Sequence, residues 1–222
     1  MKIYLLNHNY KNIGTYFRAK KIFDLLKDHY EVTLICVSEK KISLSFEIEK
    51  YKKSKIIYLP RYQYSKYFSG QLVRLFITTY ILLTNKIDIL YSFAFSQPQI
   101  SYPSLFKKFL SNKTELIVDW DDLWGNGLGK EHNDLINGIF LFNENFLTKF
   151  ADRISCASTF LYNYSRKKFN KKIYYLPNFS VNTVNFKKED TKLKTNHIRF
   201  LIIGNIYMNT FDYYLKKTFH LT

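Results

Sequence analysis

Apolar and polar positions alternate between two rhythms along this chain. Short apolar runs, KIYLL (Lys2 to Leu6), EVTLICVS, IIYLP, DILYSFAF, ELIVDW, RISCAS and KIYYLP, are separated by longer stretches in which apolar residues recur at near-helical spacing. The first such stretch, GTYFRAKKIFDLLKDH, sets Phe17, Phe23, Leu25 and Leu26 among charges. Further helices are predicted over 72–83, within YPSLFKKFL, over 135–150 and over 159–169. Strands joined by long helical crossovers predict an α/β fold, a parallel sheet covered by helices on both faces.

The rhythm breaks at KKEDTKLKTNH, residues 187–197, a charged and core-free stretch that reads as a linker. Residues 1–186 then form one domain, and IRFLIIGNI restarts the strand pattern as the beginning of a second over 198–222. One strand cannot bury its apolar faces alone, so this second unit is expected to be begun and not finished.

Composition changes the picture in three ways. Hydrophobic residues make up 46%, enough for a real core. Lys and Arg number 34 against 18 Asp and Glu, a net charge of +16 that favours anionic partners. The two cysteines, Cys36 and Cys156, sit in apolar runs and fit a reducing, cytoplasmic setting. The N-terminal apolar run is too short for a signal peptide, and the most hydrophobic segment, 72–83, contains Arg74 and falls short of the roughly 20 residues that span a bilayer.

The chemistry concentrates in LIVDWDDLWGNGLG, where Asp119, Asp121 and Asp122 stand with Trp120 and Trp124 after an apolar strand. Open parallel sheets place ligands beyond the carboxyl ends of their strands, which is where this strand delivers the three carboxylates. Carboxylates accept hydrogen bonds from sugar hydroxyls, and tryptophan faces stack on a pyranose ring. Three acids in four residues repel, so one is expected to have a raised pKa or a cationic partner, and Arg18 is the candidate cation. The plainer alternative is an Asp helix cap with tryptophans packed in the core. Gly14, at a strand-to-helix turn, permits positive φ and close backbone approach, and the helix opening at Thr15 would aim its N–H groups at a phosphate. His132 follows the glycine loop and could reach the same crevice, while the five histidines show no close metal spacing. No P-loop or G-x-S-x-G motif is present. The stretch YKKSKIIYLPRYQYSKYF, 51–68, interleaves bases and aromatics, which suits a solvated loop, a nucleic-acid strand or an anionic leaflet.

Four segments together resemble glycosyltransferase family 4, of the GT-B fold: NIGTYFRAKKIFDLL its Gly-containing loop and first helix, IVDWDDLWG its D-x-x-DLW segment, FADRISCAS its AD strand, and LPNFSVNTVNF the run closing the first domain. Phe179 stands where that last run has Gly, and Asn182 is the nearest match to its Asp. The resemblance implies that 1–186 is the Rossmann-like, acceptor-side half of a GT-B enzyme that transfers a glycosyl group from a nucleotide sugar to a saccharide or lipid-linked acceptor in surface-glycan synthesis. It implies a retaining transfer without a metal or other cofactor, the nucleotide sugar being a co-substrate. Gly14, Thr15, Arg18, Asp119, Trp120, Asp121, Asp122 and Trp124 would contact substrate, with Asp122 the catalytic candidate. It favours an anionic membrane surface over nucleic acid as a further partner, with the protein peripheral at the cytoplasmic face. The family's donor-binding cation and glutamates match nothing here, so little transfer is expected from the chain alone. Two alternatives stand beside this reading: a non-catalytic basic binding protein that keeps the fold, and a metal-dependent GT-A enzyme using Asp119-Trp120-Asp121 as a D-x-D cation site.

Overall fold

The computed structural model describes residues 1–40, 46–61, 70–125 and 134–178, all within the first of two compact units, Met1–Asn182. The expected linker at 187–197 and the second domain over 198–222 lie outside the described residues, as do His132, Phe179 and Asn182.

Strand β1 spans Lys2–Tyr10 and leads through helix α1, Tyr16–Leu26, to β2, Glu31–Val37. Strands β3, Glu47–Tyr51, and β4, Ser54–Leu59, form a hairpin. The rest is a run of crossovers: α2 Gln71–Thr84, β5 Ile89–Phe93, α3 Pro98–Leu110, β6 Glu115–Trp120, α4 Asp134–Asn145, a 3-10 turn Leu147–Phe150, β7 Arg153–Cys156, α5 Thr159–Lys168 and β8 Lys172–Tyr175. The eight strands lie in the order β3-β4-β2-β1-β5-β6-β7-β8, and every pairing is parallel except β3 on β4.

Period-two alternation sorts the side chains onto two faces. Ile3, Leu5, Val32, Leu34 and Ile56 pack against Tyr16, Ala19 and Phe23 of α1. Tyr4, Leu6, Ile35, Ile57, Val118 and Ile154 face Leu82, Ile100, Leu105, Leu147 and Leu161 from α2, α3, the 3-10 turn and α5. Helices therefore cover both faces, as the alternation predicts, with α1 on one and the others opposite.

Three differences from the sequence reading have local causes. Strand β3 goes unread because its exposed edge mixes Glu47 and Glu49 with Ile48, and its turn is Lys52-Lys53 rather than a glycine or asparagine pair, Lys52 itself adopting φ 46°. Helix α3 starts at Pro98, ahead of YPSLFKKFL, since proline suits a first turn. Strand β1 continues past Leu6 through the polar Asn7, His8 and Asn9, with a register shift before Tyr10 pairs with Val37. Irregularities of this kind re-aim side chains at a sheet edge. The basic stretch 51–68 is also redrawn. Its middle is β4, whose Ile56, Ile57 and Tyr58 are core, and its end over 62–68 lies outside the described residues.

The chain leaves β1 in one direction through β2 and β4 and returns on the other side at β5, so the carboxyl ends of β1 and β5 flank the point where the winding reverses. That is the crevice where open α/β sheets bind ligands.

Candidate functional site

Beneath the crevice, on the α1 face, sits a closed polar network. Arg18 grips Asp119 with two bonds, Nε to Oδ2 at 2.7 Å and Nη2 to Oδ1 at 2.9 Å, and both residues are buried. Strand register brings further donors to the same carboxylate. Asp119 pairs with Phe93 on β5 and Ser155 on β7. Its Oδ1 accepts from the Tyr91 hydroxyl at 3.0 Å and from Ser155 Oγ, and those two hydroxyls lie 2.6 Å apart. Arg18 Nη1 also donates to Asn178 Oδ1 at 3.2 Å. Burial pulls the guanidinium pKa down, but the bond and charge of Asp119 carry it above its ordinary value. Sequence reasoning found Arg18 and Asp119; Tyr91, Ser155 and Asn178 it missed, because only strand register brings them together.

Above the network Asp121 occupies the next position on that face. Thr15 Oγ1 donates to its Oδ2 at 2.5 Å, while Oδ1 is sealed and has no partner. Burial first, then the neighbouring charge of Asp119, raises this carboxyl to about 7 against the pull of the Thr15 bond. Asp122 turns to solvent, its carboxyl raised by the desolvation of its inner side. Gly14 holds φ 55°, a backbone sign that favours glycine, and a Cβ there would sit 2.5 Å from Asn9 Nδ2, the end of a flexible side chain that can turn aside. The opening of α1 is less available to a phosphate than its sequence implies, since the N–H groups of Tyr16 and Phe17 already donate to Ile13 and Gly14.

Across the sheet a second wall sets the flagged Trp124 among residues the sequence did not flag. Glu144, buried on α4, accepts the backbone N–H of Trp124 at 2.6 Å and of Gly125 at 3.0 Å and so pins the turn after β6. Desolvation raises its carboxyl to about 7 despite those two bonds. Gly125 makes the approach possible, because a Cβ there would lie 2.8 Å from Leu141 Cα. Trp124 stands edge-on to His8 at 6.3 Å and to Phe140 at 6.1 Å. Trp120 faces the other way, into the core between Tyr164 and Phe169, so its ring is packing and offers no stacking face to a sugar. Asn143 donates to the Ser96 carbonyl at 2.7 Å, just beyond Ala94, which adopts φ 52°. His8 Nδ1, Ser96 Oγ and Asn143 Oδ1 are all buried without partners. Burial, then Arg74, lowers the His8 pKa to about 4 and keeps the ring neutral. Buried polar atoms are nearly always paired, so these three, like Asp121 Oδ1 and Trp120 Nε1, are left unmet by the protein's own groups.

No protein-family model and no curated protein matches the sequence. Solved structures do match in fold. A sucrose-phosphate synthase from Thermosynechococcus elongatus aligns with TM-score 0.54 at 10% identity over 82% of this chain and 91% of that one. A UDP-forming trehalose-phosphate synthase from Burkholderia xenovorans aligns with TM-score 0.50 at 11% identity over 79% of this chain and 47% of that one. The fold is the Rossmann-like half of GT-B.

Within this GT-B half, Asp119 and Asp121 share a face as a D-x-D pair would, yet Asp119 is engaged by Arg18, Tyr91 and Ser155 and Asp121 by Thr15. That arrangement does not present two open carboxylates to a cation. Among the described residues no three His, Cys, Asp or Glu side chains are grouped to hold a metal ion.

Proposed function

We propose that the protein is the acceptor-side half of a GT-B glycosyltransferase, acting on a nucleotide sugar and a saccharide or lipid-linked acceptor in surface-glycan synthesis, with 187–197 as linker and 198–222 as the start of the donor-binding domain. The observation that carries this reading is the meeting of the Thr15–Asp121 and Arg18–Asp119 pairs with partnerless polar atoms at the reversal point of the sheet. The fold shared with two sugar-phosphate synthases supports it.

In this reading Arg18, Tyr91 and Ser155 hold Asp119 as a rigid base under the crevice. Asp121, poised near neutrality, and the exposed Asp122 orient the acceptor by accepting from its hydroxyls, and Trp124 bounds the sugar. The transfer breaks the bond from the anomeric carbon to the diphosphate oxygen and forms one to the acceptor oxygen, whose proton passes to the departing diphosphate. Asp122 thus positions the acceptor and takes no proton from it. Orienting two substrates in one cleft is worth roughly 7–11 kcal/mol of barrier, the term an acceptor half contributes to only when a donor half faces it.

Calorimetric titration of the full chain with free sugars, sugar phosphates and nucleotide sugars tests the assignment. The expected result is binding of an acceptor-class sugar that Asp121→Ala removes, with weak nucleotide-sugar binding. Tight nucleotide-sugar binding without any acceptor binding would overturn it. Saccharide binding with no transfer in the presence of any donor half would favour a non-catalytic binding protein that keeps the fold.

A further inference from the structure

The 14 residues of α2 include one charge, Arg74, and it is buried. The outer side of the helix is a stripe of Leu72, Phe76, Tyr80 and Leu83, spaced by successive turns, of which the first three are 66%, 69% and 69% exposed. A helix that is apolar nearly all round ordinarily lies inside a protein or a membrane. No helix among the described residues is long and apolar enough to cross a membrane, so this stripe calls for a different cover. It runs into a groove of about 510 Å³ where Phe46 and Ile48 of the sheet edge meet Phe76 and Tyr80, lined by aliphatic and aromatic side chains throughout. At roughly 150–250 Å² for a whole aromatic side chain, the bare parts of these rings and of their aliphatic neighbours come to on the order of 600 Å², the upper end of what monomers leave open.

Charge, pairing and area select the occupant. The chain carries a net charge of +16, and a two-fold contact sets each charge near its axis against its own copy, so such a chain meets itself most readily where charge is missing. The stripe on α2 is such a place. Its guanidinium is turned inward, Glu47 and Glu49 of β3 are held by Lys40 and Lys11, both at 2.9 Å, and Lys50 lies outside the groove lining, where a polar rim belongs. An anionic leaflet would instead be met by cations around the rings, and the stripe offers none. The polar side chains along α2 are also ready to lose water: Thr79 Oγ1 donates to the Leu75 carbonyl, Thr84 Oγ1 to that of Tyr80 and Asn85 Nδ2 to that of Ile81, each at 2.8 Å. Two copies would together cover about 1,200 Å², where stable, specific interfaces begin. We infer that the outer side of α2 and the groove beside it form a two-fold interface between two copies of this chain. The interface is independent of the transfer reading, because association requires no sugar.

Sedimentation equilibrium of the full chain over a range of protein and salt concentrations tests it. The expected species is a dimer of the 26.7 kDa chain that tightens as salt rises, since screening weakens the repulsion between two basic copies and leaves the apolar contact. Each substitution counts twice across a two-fold axis, so Phe76→Ser with Tyr80→Ser should weaken dimerisation by roughly 100-fold or more while the circular dichroism spectrum stays unchanged. Phe76→Glu, which brings two carboxylates into the interface, should give monomer throughout. Phe17→Ser, at an exposed ring on α1, should leave the dimer as it is. A monomer at every concentration overturns the inference, as does a dimer that the α2 variants leave intact or that added salt dissociates. So does a monomer that sediments with phosphatidylglycerol vesicles and ceases to do so with Phe76→Glu, which would make a lipid surface the occupant.

Discussion

The two walls of the crevice solve opposite problems. On the α1 side, Asp119 is answered from four directions and Arg18 from two residues, leaving that pair complete without any ligand. On the α4 side, His8, Ser96 and Asn143 each keep a buried atom with no partner, although Glu144 pins the turn beside them. Saturation marks a support, vacancy marks a receptor, and Asp121 lies between the two, half answered by Thr15.

The largest effect should come from breaking the saturated wall. Arg18→Ala leaves the Asp119 carboxylate buried and unpaired, and Asp119→Ala does the same to the guanidinium, so each should lower unfolding free energy in urea by about 3–5 kcal/mol. The double change Arg18→Met with Asp119→Leu should recover much of that loss. A loss below about 1 kcal/mol for both single variants would mean that the pair is not the support described here.

Next comes proton linkage at the boundary. The folded pKa of Asp121, about 7, lies above the ordinary carboxyl value, so folding favours the protonated form. The stability this proton brings is fully present below about pH 4 and is lost as pH rises through about 7, a change on the order of 4 kcal/mol before solvent screening reduces it. Glu144 adds a slope of the same sign. Asp121→Asn should flatten a stability profile recorded from acid to neutral pH, whereas an unchanged slope would assign it wholly to Glu144.

Gly14→Ala tests the turn that carries Thr15. Positive φ costs a side-chain-bearing residue roughly 1–2 kcal/mol, so thermal unfolding should fall by several degrees. Ser96→Ala probes the vacant wall and should have the smallest effect on stability, neutral or slightly stabilising and within about 0.5 kcal/mol, because it removes an atom that has nothing to bond. Its mark should appear instead in weakened sugar binding by calorimetry. A large stability loss there would show that the Ser96 hydroxyl is structural and that the comparison between walls fails.

How much of this was legible follows from the range of each interaction. Strands such as EVTLICVS, and the delivery of Asp119 to the carboxyl edge, could be read because a parallel interior strand announces itself as a continuous apolar run. Arg18 was legible as a cation in search of an anion. Glu144 was not, since nothing in DLINGIFLFNEN separates a clamp for the Trp124–Gly125 turn from a surface acid until α4 is laid across the end of β6. Trp120 and Trp124 look alike in sequence, and the end of β6 divides them: Trp120, its last residue, is sealed beside Tyr164 and Phe169, while Trp124 lies in the turn beyond, against His8 and Phe140.

The Arg18–Asp119 pair also sets a clock on biosynthesis. Its members are 101 residues apart in the chain. At about 5–20 residues per second, a ribosome that has finished α1 takes some ~5–20 s more before the carboxylate exists. Throughout that interval β1, β2 and β4 can assemble around the apolar side of α1, but Arg18 still waits for the carboxylate it grips in the finished fold. The fold can close only once β6 has emerged, which makes the nascent chain between α1 and β6 the stretch most in need of protection from its own exposed strands.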